Sequence, residues 1–181
     1  MKIEDNHAHA ITYYERTSFK HFFALFISVV TTKFKKYLSL TAHLPLEIQH
    51  PTVYSNLAIG KIYIHFGELL KRLFSIKLYW ENAPLLEFGT WKLKYGQTDF
   101  DLLPDKGDLC FDTGHIILGS HTIAEAKKRI IVFEKKYSKR IKHLHIHENN
   151  LISDQHIKPK KVITPQLLAR LIQGRTYIFE K

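Results

Sequence analysis

Short apolar runs that stop at a His, Glu or Asp recur along this chain, and stretches with helical periodicity lie between them. The clearest run is Leu109-Cys110-Phe111-Asp112, followed by Thr113-Gly114-His115. A short apolar run bounded by Gly and Asp reads as a strand buried on both faces. Here it ends at an Asp, and a turn brings a His three positions later. Comparable strands are predicted for Tyr37 to His43, Lys61 to Gly67, Ile76 to Asn82, Arg140 to His147 and Arg175 to Lys181, and Lys2 to Asn6 reads as the tail of another.

Between these runs the apolar spacing turns helical. Ser18 caps a predicted helix running to about Lys36, with Phe19, Phe22, Phe23, Phe26, Val29 and Val30 on one face that reads as core packing. Glu68 to Phe74 gives two turns with Leu69, Leu70 and Leu73 inward. A helix beginning near His121 and Thr122 carries Ile123, Ala126, Ile130, Ile131 and Phe133 and ends near Ser138. Thr164 is an N-cap with Pro165 at the first helical position; Leu167, Leu168, Leu171 and Ile172 face inward, and Gly174 stops the helix. Ile48 to Gly60 reads as irregular structure or one short helix. Leu85 to Asp108 reads as a long loop, of a length that is usually functional. Alternation of strands and helices implies right-handed crossovers and a parallel sheet. No Gly-rich phosphate turn marks a doubly wound sheet. The expected fold is therefore α/β of the (β/α)8 TIM-barrel type, with its site at the C-terminal strand ends.

Composition narrows the setting. The 181 residues are 45% hydrophobic and 24% charged, which fits one globular domain over 1–181 with a real core. The net charge of +10 favours polyanionic or phosphorylated partners, and a general Lys, Ile, Phe and Tyr bias would produce the same excess. The lone Cys110 excludes an intramolecular disulfide framework and points to a reducing compartment, the cytoplasm; inside a buried strand it reads as a packed thiol. The longest apolar run, Phe22 to Val30, is far short of the ~20 residues of a membrane span. Glu4, Asp5, Asn6 and His7 do not open a signal peptide.

The strand ends supply the chemistry. In order they carry His43, His65, Glu81, Asp112 with His115, His145, and Glu180, and the polar stretch Asn149 to Lys161 adds Asp154 and His156. Three inward-facing carboxylates, Glu81, Asp112 and Glu180, would repel and raise one another's pKa. Divalent metals relieve that repulsion, and mixed His and carboxylate ligands suit zinc or manganese. Nine candidate ligands fit two or three ions, a cluster able to hold a phosphodiester in line for attack. On the last His-bearing strand, His143, His145 and His147 share one face, and periodicity alone does not choose among them.

These pieces resemble a known superfamily. His43-Leu44-Pro45, Ile64-His65-Phe66-Gly67, Trp80-Glu81-Asn82, Phe111-Asp112-Thr113-Gly114-His115, His145-Ile146-His147-Glu148, Asp154-Gln155-His156 and Phe179-Glu180 look like the xylose isomerase-like TIM barrels. That group contains the endonuclease IV (AP endonuclease 2) family. The Asp-x-x-His and Asp-x-His spacings are the more specific parts. The resemblance implies up to three metals, zinc by preference and manganese as the alternative. One would lie on His43, His65 and Glu81; a second on Glu81, Asp112, His145 and Glu180; a third on His115, Asp154 and His156. Glu81 and Glu180 would be the catalytic carboxylates, and a metal-bridged hydroxide would attack phosphorus.

The chain also departs from the pattern. His147-Glu148 stands where the endonucleases usually carry Asn and Asp, and His65 is followed by Phe66 rather than Pro. The resemblance further implies an incomplete barrel without its first strand and helix or its last helix, and a possible homodimer covering the open edges. The implied function is hydrolysis of a small phosphodiester, as in the superfamily's cobamide-remodelling phosphodiesterase branch, or of abasic DNA. The alternatives are a metal-dependent sugar isomerase or epimerase, which would use Glu81, Asp112, His145 and Glu180 around one ion, and an inactive truncated member. No membrane partner is expected.

Overall fold

A computed structural model describes residues 7–11, 17–45, 57–82, 87–88, 91–92, 103 and 107–180. The expected strand tail Lys2 to Asn6 and most of the long loop before Asp108 lie outside these residues. The chain divides into two compact units, one of Asp5–Glu81 with Thr98–Asp108, the other built mainly of Asn82–Gln97 and Leu109–Lys181.

The first unit runs β1 (His7–His9), α1 (Phe19–Phe34), β2 (Ser39–His43), α2 (Leu57–Phe74) and β3 (Lys77–Glu81). β1 pairs in parallel with β2, His9 opposite Thr41, and β2 pairs in parallel with β3, His43 opposite Glu81. The second unit holds the short antiparallel pair β4 (Glu87–Phe88) and β5 (Trp91–Lys92), then β6 (Leu109–Asp112), α3 (Thr113–Ile117), α4 (Ile123–Tyr137), β7 (Ile141–Ile146), α5 (Pro165–Ile172) and β8 (Thr176–Phe179). β6 pairs in parallel with β7, Asp112 opposite His145, and β7 pairs in parallel with β8, Ile146 opposite Phe179. Helices joining parallel strands in both units give the repeated β-α-β pattern of a TIM-type α/β fold.

Two expectations in the first unit are corrected. Lys61–Gly67 is not a strand but the middle of α2. The alternation of Ile62, Ile64 and Phe66 imitates a strand, yet the buried positions Gly60, Tyr63, Ile64, Gly67 and Glu68 follow the helical rhythm of three and four. Packing explains Gly67: a Cβ there would sit 2.6 Å from Trp80 Cζ2. Trp80 in turn donates its indole N–H to Glu68 Oε1 at 2.9 Å. With the helix so seated, Leu70 is buried but Leu69 and Leu73 are exposed.

The second correction concerns α1. Its phenylalanine stripe faces outward, Phe19 being 84% and Phe23 58% exposed. The inward face is His21, Ala24, Leu25, Ser28, Val29 and Thr32. Ser28 and Thr32 hydroxyls bond the carbonyls of Ala24 and Ser28, each at 2.7 Å, so these polar residues are buried without loss. Apolar residues surround this helix on most sides, and periodicity therefore did not identify the buried face. Phe19, Phe22, Phe23, Phe26 and Phe66 line an open groove of about 530 Å³.

In the second unit, Thr122 caps α4 by accepting from Glu125 N, and Thr164 caps α5 by accepting from Leu167 N with Pro165 in the first turn. Gly174 follows at φ +70°, a conformation that glycine adopts without strain. Phe133 of α4 stacks on Phe111 of β6 with ring centres 4.6 Å apart. Ile123 and Ile131, expected inward, are partly exposed, while Glu134 is buried. Glu134 accepts from Arg170 at 2.6 Å and from Arg175 at 2.9 Å. Burial raises its pKa, but the Arg175 and Arg170 hydrogen bonds and charges outweigh burial and hold it below its ordinary 4.5.

Because the folded carboxyl titrates lower than the unfolded one, its contribution is present above pH 4.5 and fades as pH falls below that value. Glu134→Gln is expected to lower unfolding free energy by about 1–3 kcal/mol at pH 7. The gap from wild type should shrink in urea melts run below pH 4.5.

Candidate metal centre

Parallel pairing brings the C-terminal ends of neighbouring strands to one edge of each unit, where backbone pairing ends and side chains can converge. In the first unit that edge carries His9, His43 and Glu81. His43 Nε2 lies 3.0 Å from the buried Glu81 carboxylate. His65 is not at this edge; it is exposed in the middle of α2 because its segment is helical. His9 is the strand-end histidine that the sequence reading missed. The alternation His7-Ala8-His9 was the available signal. His7, one step back on the strand, is held between Ser39 Oγ and Thr41 Oγ1, each at 2.8 Å.

In the second unit, Asp112 ends β6 with no solvent exposure and also caps α3, its Oδ1 accepting from His115 N at 2.7 Å. Asn82 clamps the Asp112 backbone from both sides, donating to its carbonyl at 2.9 Å and accepting from its N–H at 2.8 Å. His145, on the adjacent strand, is 3.0 Å from Glu180 Oε1 and 3.8 Å from Asp112 Oδ2. Asp112, His145 and Glu180 therefore form one convergent set.

A second set adjoins it. Ligand atoms of His115, His147, Asp154 and His156 all lie within 4.8 Å of one another. His115 Nδ1 is 2.7 Å from the Asn82 carbonyl, which can only accept, so that nitrogen carries the proton. The other nitrogen, Nε2, is thereby turned toward Asp154 Oδ2 at 3.3 Å. His156 Nε2 approaches the same oxygen at 3.4 Å. His147 spans the two sets, with Nε2 3.0 Å from Asp112 Oδ1 and Nδ1 3.8 Å from Asp154 Oδ1.

The loop bearing Asp154 and His156 is strapped down by the residue after His147. Glu148 accepts four backbone N–H groups, from Lys160 at 2.8 Å, Lys161 at 3.0 Å, Val162 at 2.9 Å and Ile163 at 2.6 Å. Its own backbone exchanges two hydrogen bonds of 2.6 Å with Ile157. Asn149 ties the loop to Gly114 O at 2.7 Å. Leu151 and His156 accept left-handed conformations, at φ 70° and 48°, within this framework.

Charge balance follows from the geometry. Burial pulls the His147 pKa down, but the Asp112 charge and hydrogen bond outweigh it and leave it raised. Burial pushes Asp154 up, and the His115 hydrogen bond with the charges of His115, His147 and His156 outweighs that and leaves it lowered. Imidazole nitrogens facing carboxylates at such distances need protons or cations between them. A set of three His and one Asp is a donor set that zinc accepts, and with His115 Nδ1 held by the Asn82 carbonyl it is Nε2, the nitrogen facing Asp154, that an ion would take in place of a proton. The residues present fit a divalent ion.

Comparison with known protein families finds no match, and no curated protein is similar to the sequence. Solved structures are similar in shape. A D-tagatose 3-epimerase-like protein superposes with a TM-score of 0.66 at 16% identity, over 97% of this chain and 70% of its own. Endonuclease IV from Thermus thermophilus superposes with a TM-score of 0.56 at 15% identity, over 88% of this chain and 61% of its own. The likenesses show a shared α/β fold of the TIM-barrel type. At these identities the likeness is one of fold. TIM barrels carry their active sites at the C-terminal strand ends, where Asp112, His145 and Glu180 stand.

Glu148→Gln removes the charge that holds four N–H groups. It is expected to destabilise the unit by about 1–3 kcal/mol. Trypsin should then cut faster at Lys160 or Lys161, read by mass spectrometry of timed digests.

Proposed function

We propose that this chain is a divalent-metal-dependent hydrolase of phosphodiester bonds, with zinc as the metal. The observation that supports it is the second ligand set. Asp112, His145 and Glu180 resemble what one ion needs for proton transfer beside a carbonyl, but the adjoining His115, Asp154 and His156 and the His43–Glu81 pair exceed a one-ion site. Side by side, joined through the His147 contact to Asp112, the two sets offer places for two ions. His43 and Glu81 are proposed as ligands for a third. His9 is proposed in the role first expected of His65. Metals bound with an open position would supply positive charge to the non-bridging phosphate oxygens and would acidify water for attack.

The chain's own groups set the geometry. Asn82 fixes the Asp112 backbone, and Asp112 fixes the entry to α3 and thus His115. Glu180, 3.0 Å from His145 Nδ1, sets that ring's orientation and is proposed to accept the proton of the attacking water. The net charge of +10 favours an anionic substrate. A small phosphodiester is the proposed class, with abasic DNA as the macromolecular alternative. The buried Cys110 accords with a reducing cytoplasm.

A second reading has an observation of its own: the epimerase-like structure superposes with the larger TM-score, 0.66 against 0.56. One experiment separates the two. Zinc-loaded protein is expected to hydrolyse bis-p-nitrophenyl phosphate, with Glu180→Gln and Asp154→Asn each lowering kcat/KM by at least ~10–100-fold. Ketose epimerisation that needs one manganese and is indifferent to Asp154→Asn would establish the second reading instead.

A further inference from the structure

We propose that His147 is a fourth protein ligand beside His115, Asp154 and His156, so that the ion of this set fastens the Asn149–Lys161 loop and does not bind substrate. The inference rests on the metal reading above and goes beyond it: one of the proposed ions is structural.

Four observations carry it. All four side chains offer ligand atoms within 4.8 Å of one another. The two ring nitrogens of His147 are committed differently. Nε2 faces the Asp112 carboxylate at 3.0 Å, and since a carboxylate only accepts, that nitrogen carries the proton. Nδ1, the nitrogen directed to Asp154 at 3.8 Å, is then the one that an ion would take in place of a proton. Its approach to the Glu148 carbonyl, 3.4 Å, is the longer and weaker of the ring's hydrogen-bond contacts. A histidine whose far N–H is held by a carboxylate is the usual arrangement of a metal ligand. His115 repeats it through the Asn82 carbonyl.

Space is the third observation. His147 has no solvent exposure, and its ring lies directly over Gly114, where a Cβ would overlap it. The site is thus shaped around this ring. The fourth is connectivity. The ligands come from α3, from the end of β7 and from the loop, and the loop is already strapped by Glu148 to Ile157 and to the 160–163 backbone. Zinc held by four protein ligands has no position left for substrate, whereas catalytic zinc keeps one open. Three ligands would leave that position, and His147 fills it.

The test uses the full chain. Zinc is titrated against a competing chelator in wild type, His147→Asn and His147→Gln, with circular dichroism as the check on folding. The expected result is that one zinc equivalent weakens by ~10–100-fold in both variants while the others hold. A readout on wild type needs no His147 variant. Cobalt(II) replaces zinc, and the visible spectrum of Asp154→Ala is subtracted from that of wild type to isolate this ion. The difference should show intense four-coordinate bands that inorganic phosphate leaves unchanged. Unweakened zinc in both His147 variants, or bands that shift with phosphate, would overturn the proposal and leave His147 as a partner of Asp112 alone. Absence of any bound zinc in wild type would overturn both this inference and the function it rests on.

Discussion

A buried aspartate organises the second unit. Asp112 has no solvent exposure, and a carboxylate in that position is tolerated only if its oxygens are occupied. They are: His115 N donates to one oxygen, and the His147 ring approaches both, at 3.0 and 3.1 Å. The same residue ends β6 and starts α3, so one side chain fixes a strand end, a helix start and the orientation of two imidazoles. Asn82 removes the remaining freedom by bonding the Asp112 backbone on both sides. The donor sets converge because the group between them cannot move.

Strands closing on His, Glu or Asp were legible from the chain because buried strands are short apolar runs, and a charged residue closing one is conspicuous. That reasoning placed Glu81, Asp112, His145 and Glu180 at strand ends, with His115 just beyond, and found the parallel α/β architecture. It failed at His65 for a physical reason. Over seven residues a strand's alternation and a helix's stripe share many positions, and Ile62, Ile64 and Phe66 satisfy both. What decides for the helix is Gly67 fitting beneath Trp80, a contact no local pattern contains. His9 was missed because three residues of β1 are too few to show a period.

The phenylalanine stripe of α1 teaches the complementary lesson. Large apolar residues were assigned to the core because burial of each is favourable by ~1.5–3 kcal/mol. The helix instead buries its small and hydroxyl-bearing side, Ala24, Ser28 and Thr32, whose size permits close approach. Polar groups cost little there, since Ser28 and Thr32 bond carbonyls of their own helix.

His147 and Glu148 show how two adjacent residues can alter a site while leaving its surroundings in place. His147 adds an imidazole where Asp112, Asp154 and Glu180 bring negative charge, and its contacts with the first two, at 3.0 and 3.8 Å, tie the donor sets together. Glu148 turns the opposite way, into a ring of backbone N–H groups that neutralises its charge with partial dipoles and leaves the donor sets untouched. The pair therefore divides its work along the strand's alternation, one side chain toward the cluster and the next toward the loop that supplies Asp154 and His156. The strap on Glu148 thus holds Asp154 and His156 where the His147 ring can meet them.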